Sequence, residues 1–267
     1  LIFQKPSNRT RVSFEVGIFQ LGGQAIYLKP EDINLGVRES IEDVAKTLSR
    51  YLDAIVVRTF GHHIVLELAK HADIAVINGL SDLSHPCQAL SDIFTIQEKC
   101  KDIKQSTLAY IGDGNNVCHS LLYGAAKTGL HLRIATPQRY APKKEVVRDA
   151  MEIAQNSGAT ISLFHDAQEA ASGSNFIYTD VWASMGKEKE AAQRRRAFRG
   201  FQLNKRLLKA AHSSVFIMHC LPAHRGEEIT DDVMDSEHSI IFDQAENRLH
   251  VQKAILLLLL GGNKWKR

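Results

Sequence analysis

The sequence predicts an α/β protein of two doubly wound domains with parallel sheets and an active site in the cleft between them. Three observations carry this expectation. Short apolar runs alternate with stretches of helical spacing from end to end, the pattern of parallel sheets covered on both faces. The length, 267 residues, suits two domains at about 150 residues each. A polar stretch, Lys99–Ser106, interrupts the alternation before a fresh apolar run and marks the best boundary. Residues 1–105 then form one domain and 106–243 a second. A final helix over 244–267 returns to the first.

Taken in order, the strands expected are Ala25–Leu28, Ala54–Arg58, Ile74–Ile77, Thr107–Ile111, Leu132–Ala135, Thr160–Leu163, Phe176–Tyr178, Val215–Met218 and Ser239–Phe242. Between them, spacings near 3.6 such as Ile41-Val44-Ala45-Leu48-Leu52 and Val146-Val147-Ala150-Ile153-Ala154 predict helices. The opening Leu1-Ile2-Phe3 reads as a strand already under way and has no methionine before it. An N-terminal segment, with any targeting sequence, is expected to precede it. The basic run Arg194-Arg195-Arg196 lies in a Lys/Glu-rich helical stretch and reads as a solvated face.

Composition narrows the function classes. Hydrophobic residues make up 44% and charged residues 24%, ordinary for a globular enzyme, and the net charge of +3 is too near balance to suggest a nucleic-acid binder. The longest apolar run, 254–260, is far short of the roughly 20 residues of a membrane span. Four cysteines without a C-x-x-C pair argue against a disulfide framework or structural zinc and fit a reducing compartment.

Six short segments could carry chemistry. In Ser7-Asn8-Arg9-Thr10-Arg11 a serine turn opens a helix whose amides suit a phosphate, with Arg9 and Arg11 completing a cradle. Cations in a first helical turn oppose the dipole, so a bound anion explains them better than a bare N-cap does. In His85-Pro86-Cys87-Gln88 an imidazole and an amide flank a helix-opening proline, placed to hydrogen-bond a carbonyl oxygen. The strand-turn Gly112-Asp113-Gly114-Asn115-Asn116-Val117 half-matches a dinucleotide fingerprint but has Val117 at the third glycine. The following strand ends in Thr136-Pro137, with no ribose-binding acid, so a nicotinamide cofactor is disfavoured. Asp180-Val181-Trp182-Ala183-Ser184-Met185-Gly186 joins a strand-end acid, suited to an ammonium, to a small-residue loop. His219-Cys220-Leu221-Pro222 puts a thiol after a strand, and Arg248 lies early in the last helix. Each segment alone also reads as an ordinary cap, turn or buried residue.

Together, in order and spacing, these segments resemble the carbamoyltransferases over essentially the whole chain. H-P-C-Q, D-x-W-x-S-M-G and H-C-L-P are most similar to the ornithine-specific members. The resemblance implies carbamoyl transfer from carbamoyl phosphate to the δ-amine of L-ornithine, yielding L-citrulline, with no cofactor and no metal. It places Ser7, Asn8, Arg9 and Thr10 on the phosphate. Arg58, His85 and Gln88 fall on the carbamoyl group, completed by Cys220, Leu221 and Arg248. Asn34 aligns with a residue lent by a neighbouring subunit. Ornithine falls to Asn116, Asp180, Ser184 and Met185, and the catalytic set is Arg58, His85, Asp180 and Cys220. The partners implied are the two substrates and further copies in a homotrimer or a multiple of trimers, without nucleic acid or membrane. The compartment implied is the cytoplasm, or alternatively a mitochondrion or plastid after transit-peptide removal. Another acceptor, such as aspartate or putrescine, and a non-catalytic subunit are the alternatives.

Overall fold

In a computed structural model, residues 1–184 and 186–261 are described. They fall into two compact units: Leu1–Gln88 with the segment from Glu246 onward, and Ala89–Ala245.

The first unit runs β1 (Ile2–Phe3), α1 (Asn8–Gln20), α2 (Pro30–Ile33), α3 (Ile41–Leu48), β2 (Ala54–Arg58), α4 (His62–His71) and β3 (Ala75–Leu80). The three strands form a parallel sheet in the order β1-β2-β3. Strand β2 is apolar on both faces because both are covered. Ile55 and Val57 pack with Val44, Ala45, Val65 and Leu68 from α3 and α4. Val56 packs on the opposite side with Phe14 and Leu256. The β2–β3 register shifts between Val57 and Arg58, so Arg58 pairs with Leu80 at the strand's carboxyl end.

Helix α5 (Pro86–Lys99) leads into the second unit, which continues β4 (Thr107–Ile111), α6 (Asn116–Thr128), β5 (His131–Ala135), α7 (Lys144–Ser157), β6 (Ile161–Phe164), α8 (Ala167–Ala171) and β7 (Phe176–Thr179). Next come α9 (Ala191–Ala197), α10 (Lys205–Leu208), β8 (Phe216–His219), α11 (Asp231–Met234) and α12 (Ile241–Leu260), whose later part belongs to the first unit. Its sheet is parallel throughout, ordered β6-β5-β4-β7-β8. The chain winds one way from β4 through β5 to β6, then crosses to β7 and β8. The strand order therefore reverses beside β4, where the crevice of a doubly wound sheet forms. Its core joins Ile111, Ile177 and Ile217 to Trp182, Phe198 and Phe201. The Trp182 and Phe198 rings stack at 5.8 Å.

Three expectations are corrected. Ala25–Leu28 forms no strand of its own: it lies against the start of β1 through an isolated bridge from Leu28 to Ile2 and a bond from the Leu1 amino group to the Ile26 carbonyl at 2.7 Å. Ser239–Phe242 likewise makes one bridge, Ser239 to Ile217, before α12 begins at Ile241. In the run 194–196, Arg195 and Arg196 are exposed as expected, but Arg194 is buried and its guanidinium donates to Asp113 at 2.8 Å and to the Trp182 carbonyl at 2.9 Å.

The glycine-rich turn after β4 has a different occupant from a dinucleotide. A Cβ on Gly114 would lie 2.2 Å from the Pro142 nitrogen and 2.5 Å from the Ala141 carbonyl carbon. The Gly114 amide donates to the Tyr140 carbonyl at 2.8 Å. The close approach that glycine grants to a pyrophosphate in a nucleotide fold is used here by the chain's own 140–142 segment. Gly114→Ala therefore has to displace backbone. We expect a loss of about 1–3 kcal/mol, the usual range for overpacking, seen as a lowered Tm in thermal unfolding. An unchanged Tm would show that the segment yields freely.

Candidate active site

The first unit gathers positive charge around one imidazole. Ser7 caps α1 from an extended conformation, its hydroxyl accepting the Thr10 amide at 3.2 Å. The first turn holds no acidic residue, so nothing within it meets the positive end of the helix. Arg9 sits in this turn. Arg11 instead lies along the helix, bound to Glu15 at 2.9 Å and stacked 3.7 Å from the Tyr27 ring, which removes it from the expected cradle.

Arg248 enters from α12 and is nearly inaccessible. It donates to the Gln88 side-chain oxygen at 2.5 Å and to the Thr10 hydroxyl at 3.1 Å. These bonds orient both partners, and because the Thr10 hydroxyl oxygen accepts, its hydrogen remains a donor. Arg58, at the end of β2, has its pKa lowered to about 10 by burial and by the nearby charges of Arg248 and Arg9. Its Nε has no hydrogen-bond partner among the described residues, a buried donor in want of an acceptor. Burial pushes the His85 pKa well below its usual value, and Arg248, Arg58 and Arg9 push it further. His85 is therefore a neutral imidazole across the physiological range, where three guanidiniums act on one point.

In the second unit, acidic and thiol groups collect at the ends of adjacent strands. Asp180 follows β7, and its Oδ1 accepts the Val181 amide at 2.8 Å and the Cys220 thiol at 2.9 Å. Its Oδ2 accepts the Asn115 amide nitrogen at 2.7 Å. Asn115 in turn caps α6, its side-chain oxygen taking the Val117 and Cys118 amides. Asn116 is the first residue of that helix and is half-buried, as is Ser184. Met185 lies outside the described residues. Burial, then the Asp180 charge and hydrogen bond, raise the Cys220 pKa well above the ordinary thiol value. Cys220 is thus a protonated thiol that donates to a carboxylate, not a thiolate nucleophile.

The segment after Cys220 is held from beneath. Leu221 adopts a left-handed φ of 57°, unusual for a branched residue, and its peptide bond to Pro222 is cis. Its amide donates to His219 Nδ1 at 2.8 Å. Since Nδ1 accepts, the proton of the ring is on Nε2, which donates to the fully buried Glu228 carboxylate at 3.1 Å.

The expected residues thus separate into two groups. Ser7, Asn8, Arg9, Thr10, Arg58, His85, Gln88 and Arg248 belong to the first unit, and Asn116, Asp180, Ser184, Cys220 and Leu221 to the second. Asn34 joins neither group: it is exposed, ending α2 with a left-handed φ of 44°. Reading the sequence missed Asn115, which fixes Asp180; its neighbour Asn116 was the residue singled out. It also missed Glu228, which has no sequence signal, because its partner His219 lies nine positions away across a turn.

The Asp180–Cys220 contact generates a prediction. Removing the negative charge by Asp180→Asn lowers the Cys220 pKa, so more thiolate is present at a given pH. Iodoacetamide labelling of Cys220, followed by peptide mass spectrometry across pH 7–10, should accelerate in the variant. An identical profile in both proteins would dissolve the contact.

Comparison with known proteins places these two groups. Residues 1–98 match the carbamoyl-P binding domain of aspartate/ornithine carbamoyltransferase, and 104–259 match the Asp/Orn binding domain. The ornithine carbamoyltransferase of Pyrococcus horikoshii is 56% identical over 264 residues, 99% of this chain and 83% of that protein. The anabolic ornithine carbamoyltransferase of Pyrococcus furiosus is 55% identical over 265 residues, 99% of this chain and 84% of that protein. The solved structure of ornithine carbamoyltransferase from Pyrococcus furiosus superposes with a TM-score of 0.96, covering 98% of this chain and 84% of that one. Both halves match domains of one family, and the relatives exceed half identity along nearly the whole chain: it belongs to the aspartate/ornithine carbamoyltransferase family.

Proposed function

We propose that the protein transfers the carbamoyl group of carbamoyl phosphate to the δ-amine of L-ornithine, giving L-citrulline and phosphate. The observation that carries this reading is the convergence of Arg9, Arg58 and Arg248 on a neutral His85 beside the capped start of α1. Such a site is built for a dianion bearing a carbonyl. The phosphate neutralises mutually repelling guanidiniums, and the carbonyl oxygen takes hydrogen bonds from Arg58, His85 and the Thr10 hydroxyl.

The chemistry follows from these donors. The δ-ammonium of ornithine must first lose a proton, because only about one part in 10³ of a lysine-like amine is neutral near pH 7. Its nitrogen then bonds to the carbamoyl carbon and the carbonyl becomes an oxyanion. The C–O bond to phosphate breaks, and the second amine proton leaves with the phosphate. Arg58 is aimed at the oxyanion, where a donor already in place needs no reorganisation. Thr10 and Gln88 are held ready by Arg248.

The acceptor half favours an amine. Asp180 and the Cys220 thiol attract and hydrogen-bond a cationic chain, whereas a side-chain carboxylate would need cations there. Arg194, the buried cation of these strand ends, is already committed to Asp113. Aspartate is accordingly the weaker acceptor. The anabolic name of the Pyrococcus furiosus relative supports a place in arginine biosynthesis. Asn34, exposed and outside both groups, fits a residue lent to a neighbour in a homotrimer. No helix among the described residues is long and apolar enough to cross a membrane, in keeping with a cytoplasmic enzyme.

A colorimetric citrulline assay with carbamoyl phosphate, comparing ornithine, aspartate and putrescine, tests the reading. Turnover with ornithine alone is the expected result, and none with any acceptor would favour a non-catalytic subunit. Arg58→Ala should lower kcat by about 10²–10³ with an unchanged circular-dichroism spectrum, the usual cost of removing one oxyanion donor. A folded variant with near-normal turnover would remove Arg58 from this role.

A further inference from the structure

Beyond the strand ends that hold Asp180 and Cys220, the second unit contains a group of donors that carbamoyl transfer does not use. The tight turn His224-Arg225-Gly226-Glu227 closes through the Glu227 amide, which donates to the His224 carbonyl at 2.8 Å. Gly226 supplies the positive φ of 84° that the turn requires. The turn brings His224 and Glu227 together with Glu228. A ligand atom from each of the three residues lies within 4.8 Å of the others. An imidazole and two carboxylates are the donor set of a zinc-class divalent cation.

A second observation points to a ligand independently. Glu228 is wholly buried, and its Oε1 accepts from His219 Nε2 and from the His224 amide, the latter at 2.5 Å. Its Oε2 has no hydrogen-bond partner among the described residues. A carboxyl oxygen left without a partner in the interior is costly, and a metal ion is a partner that repays it. His224 is exposed and Glu227 half-buried, so an ion can enter from solvent.

From these observations we propose that His224, Glu227 and Glu228 form a binding site for a divalent transition-metal ion of the zinc class. In a tetrahedral zinc site with bonds of about 2.0–2.1 Å, donor atoms sit roughly 3.3 Å apart. The present spacing closes by a small movement of the exposed turn. The competing cation is Arg195, whose Nε lies 3.4 Å from Glu227 Oε1. Arg195 is more than half exposed, so it can turn into water as the metal takes its place. The site is joined to the acceptor half through Glu228, His219 and the Leu221 amide. A bound ion would therefore stiffen the segment that follows Cys220.

The test is zinc binding by the full chain, measured by equilibrium dialysis, together with the visible absorption of Co2+, whose d–d bands report tetrahedral coordination. A thiol is a zinc ligand in its own right, so Cys220→Ser serves as the background that removes any contribution from Cys220. In that background one zinc should remain per chain, and His224→Ala or Glu227→Gln should each weaken it at least tenfold and abolish the cobalt bands. Neither residue belongs to the catalytic set, so His224→Ala and Glu227→Gln made singly in the chain that keeps Cys220 should turn over ornithine normally without added metal. Zinc binding that vanishes with Cys220→Ser alone would overturn the proposal. Binding unchanged by both turn substitutions would do the same.

Discussion

The donor half-site depends on a single buried cation, Arg248. Removing its guanidinium from water costs several kcal/mol, which its surroundings must repay. Its bonds to Gln88 and Thr10 are charge-assisted, each contributing about 1.5–3 kcal/mol. They also join three helices that are far apart in sequence: α12 supplies the cation, α5 one acceptor and α1 the other. The orientation of the Gln88 amide and the Thr10 hydroxyl follows from where this one charge sits, and the charge adds to the burial that keeps His85 neutral. Arg58 and Arg9 add like charge nearby, so the pocket is under electrostatic tension that a phosphate dianion relieves. This tension is the physical content of its preference for an anion.

The second unit uses the opposite sign and a different device. Its central strands β4 and β7 are parallel and almost wholly buried, so their polar groups gather where the strands end. Asp113, Asp180 and Cys220 all stand there, after β4, β7 and β8. Arg194 neutralises Asp113 within the protein, while Asp180 has no such counter-ion among the described residues and is held by the Val181 amide, the Cys220 thiol and Asn115. Burial raises the Asp113 pKa and the Arg194 charge works against that rise, as expected for a desolvated acid with its own counter-ion. The fold thus gives one acid a buried counter-ion and holds the other with neutral donors.

Local pattern determined a good deal of this. The alternation of apolar runs and helical spacings fixed a parallel α/β architecture, since strands buried on both faces leave no polar alternation. The serine before α1, the proline opening α5 and the residues ending β7 and β8 marked many of the candidate site residues, whereas Arg58 and Asn34 came from the family resemblance alone. These signals are legible because caps, strand ends and helix starts depend on neighbours in sequence. Tertiary structure decided what depends on distant partners. It buried Arg194 against Asp113, 81 positions away, where charge patterning alone indicated a wet surface. It turned Arg11 onto Tyr27 and away from the anion. It filled the space above Gly114 with residues 140–142, reduced two expected strands to single bridges, and set Glu228 beneath His219. Sequence specifies which groups are available; only packing decides which of them are desolvated, paired or left bare, because burial and pairing are properties of the neighbours that folding brings.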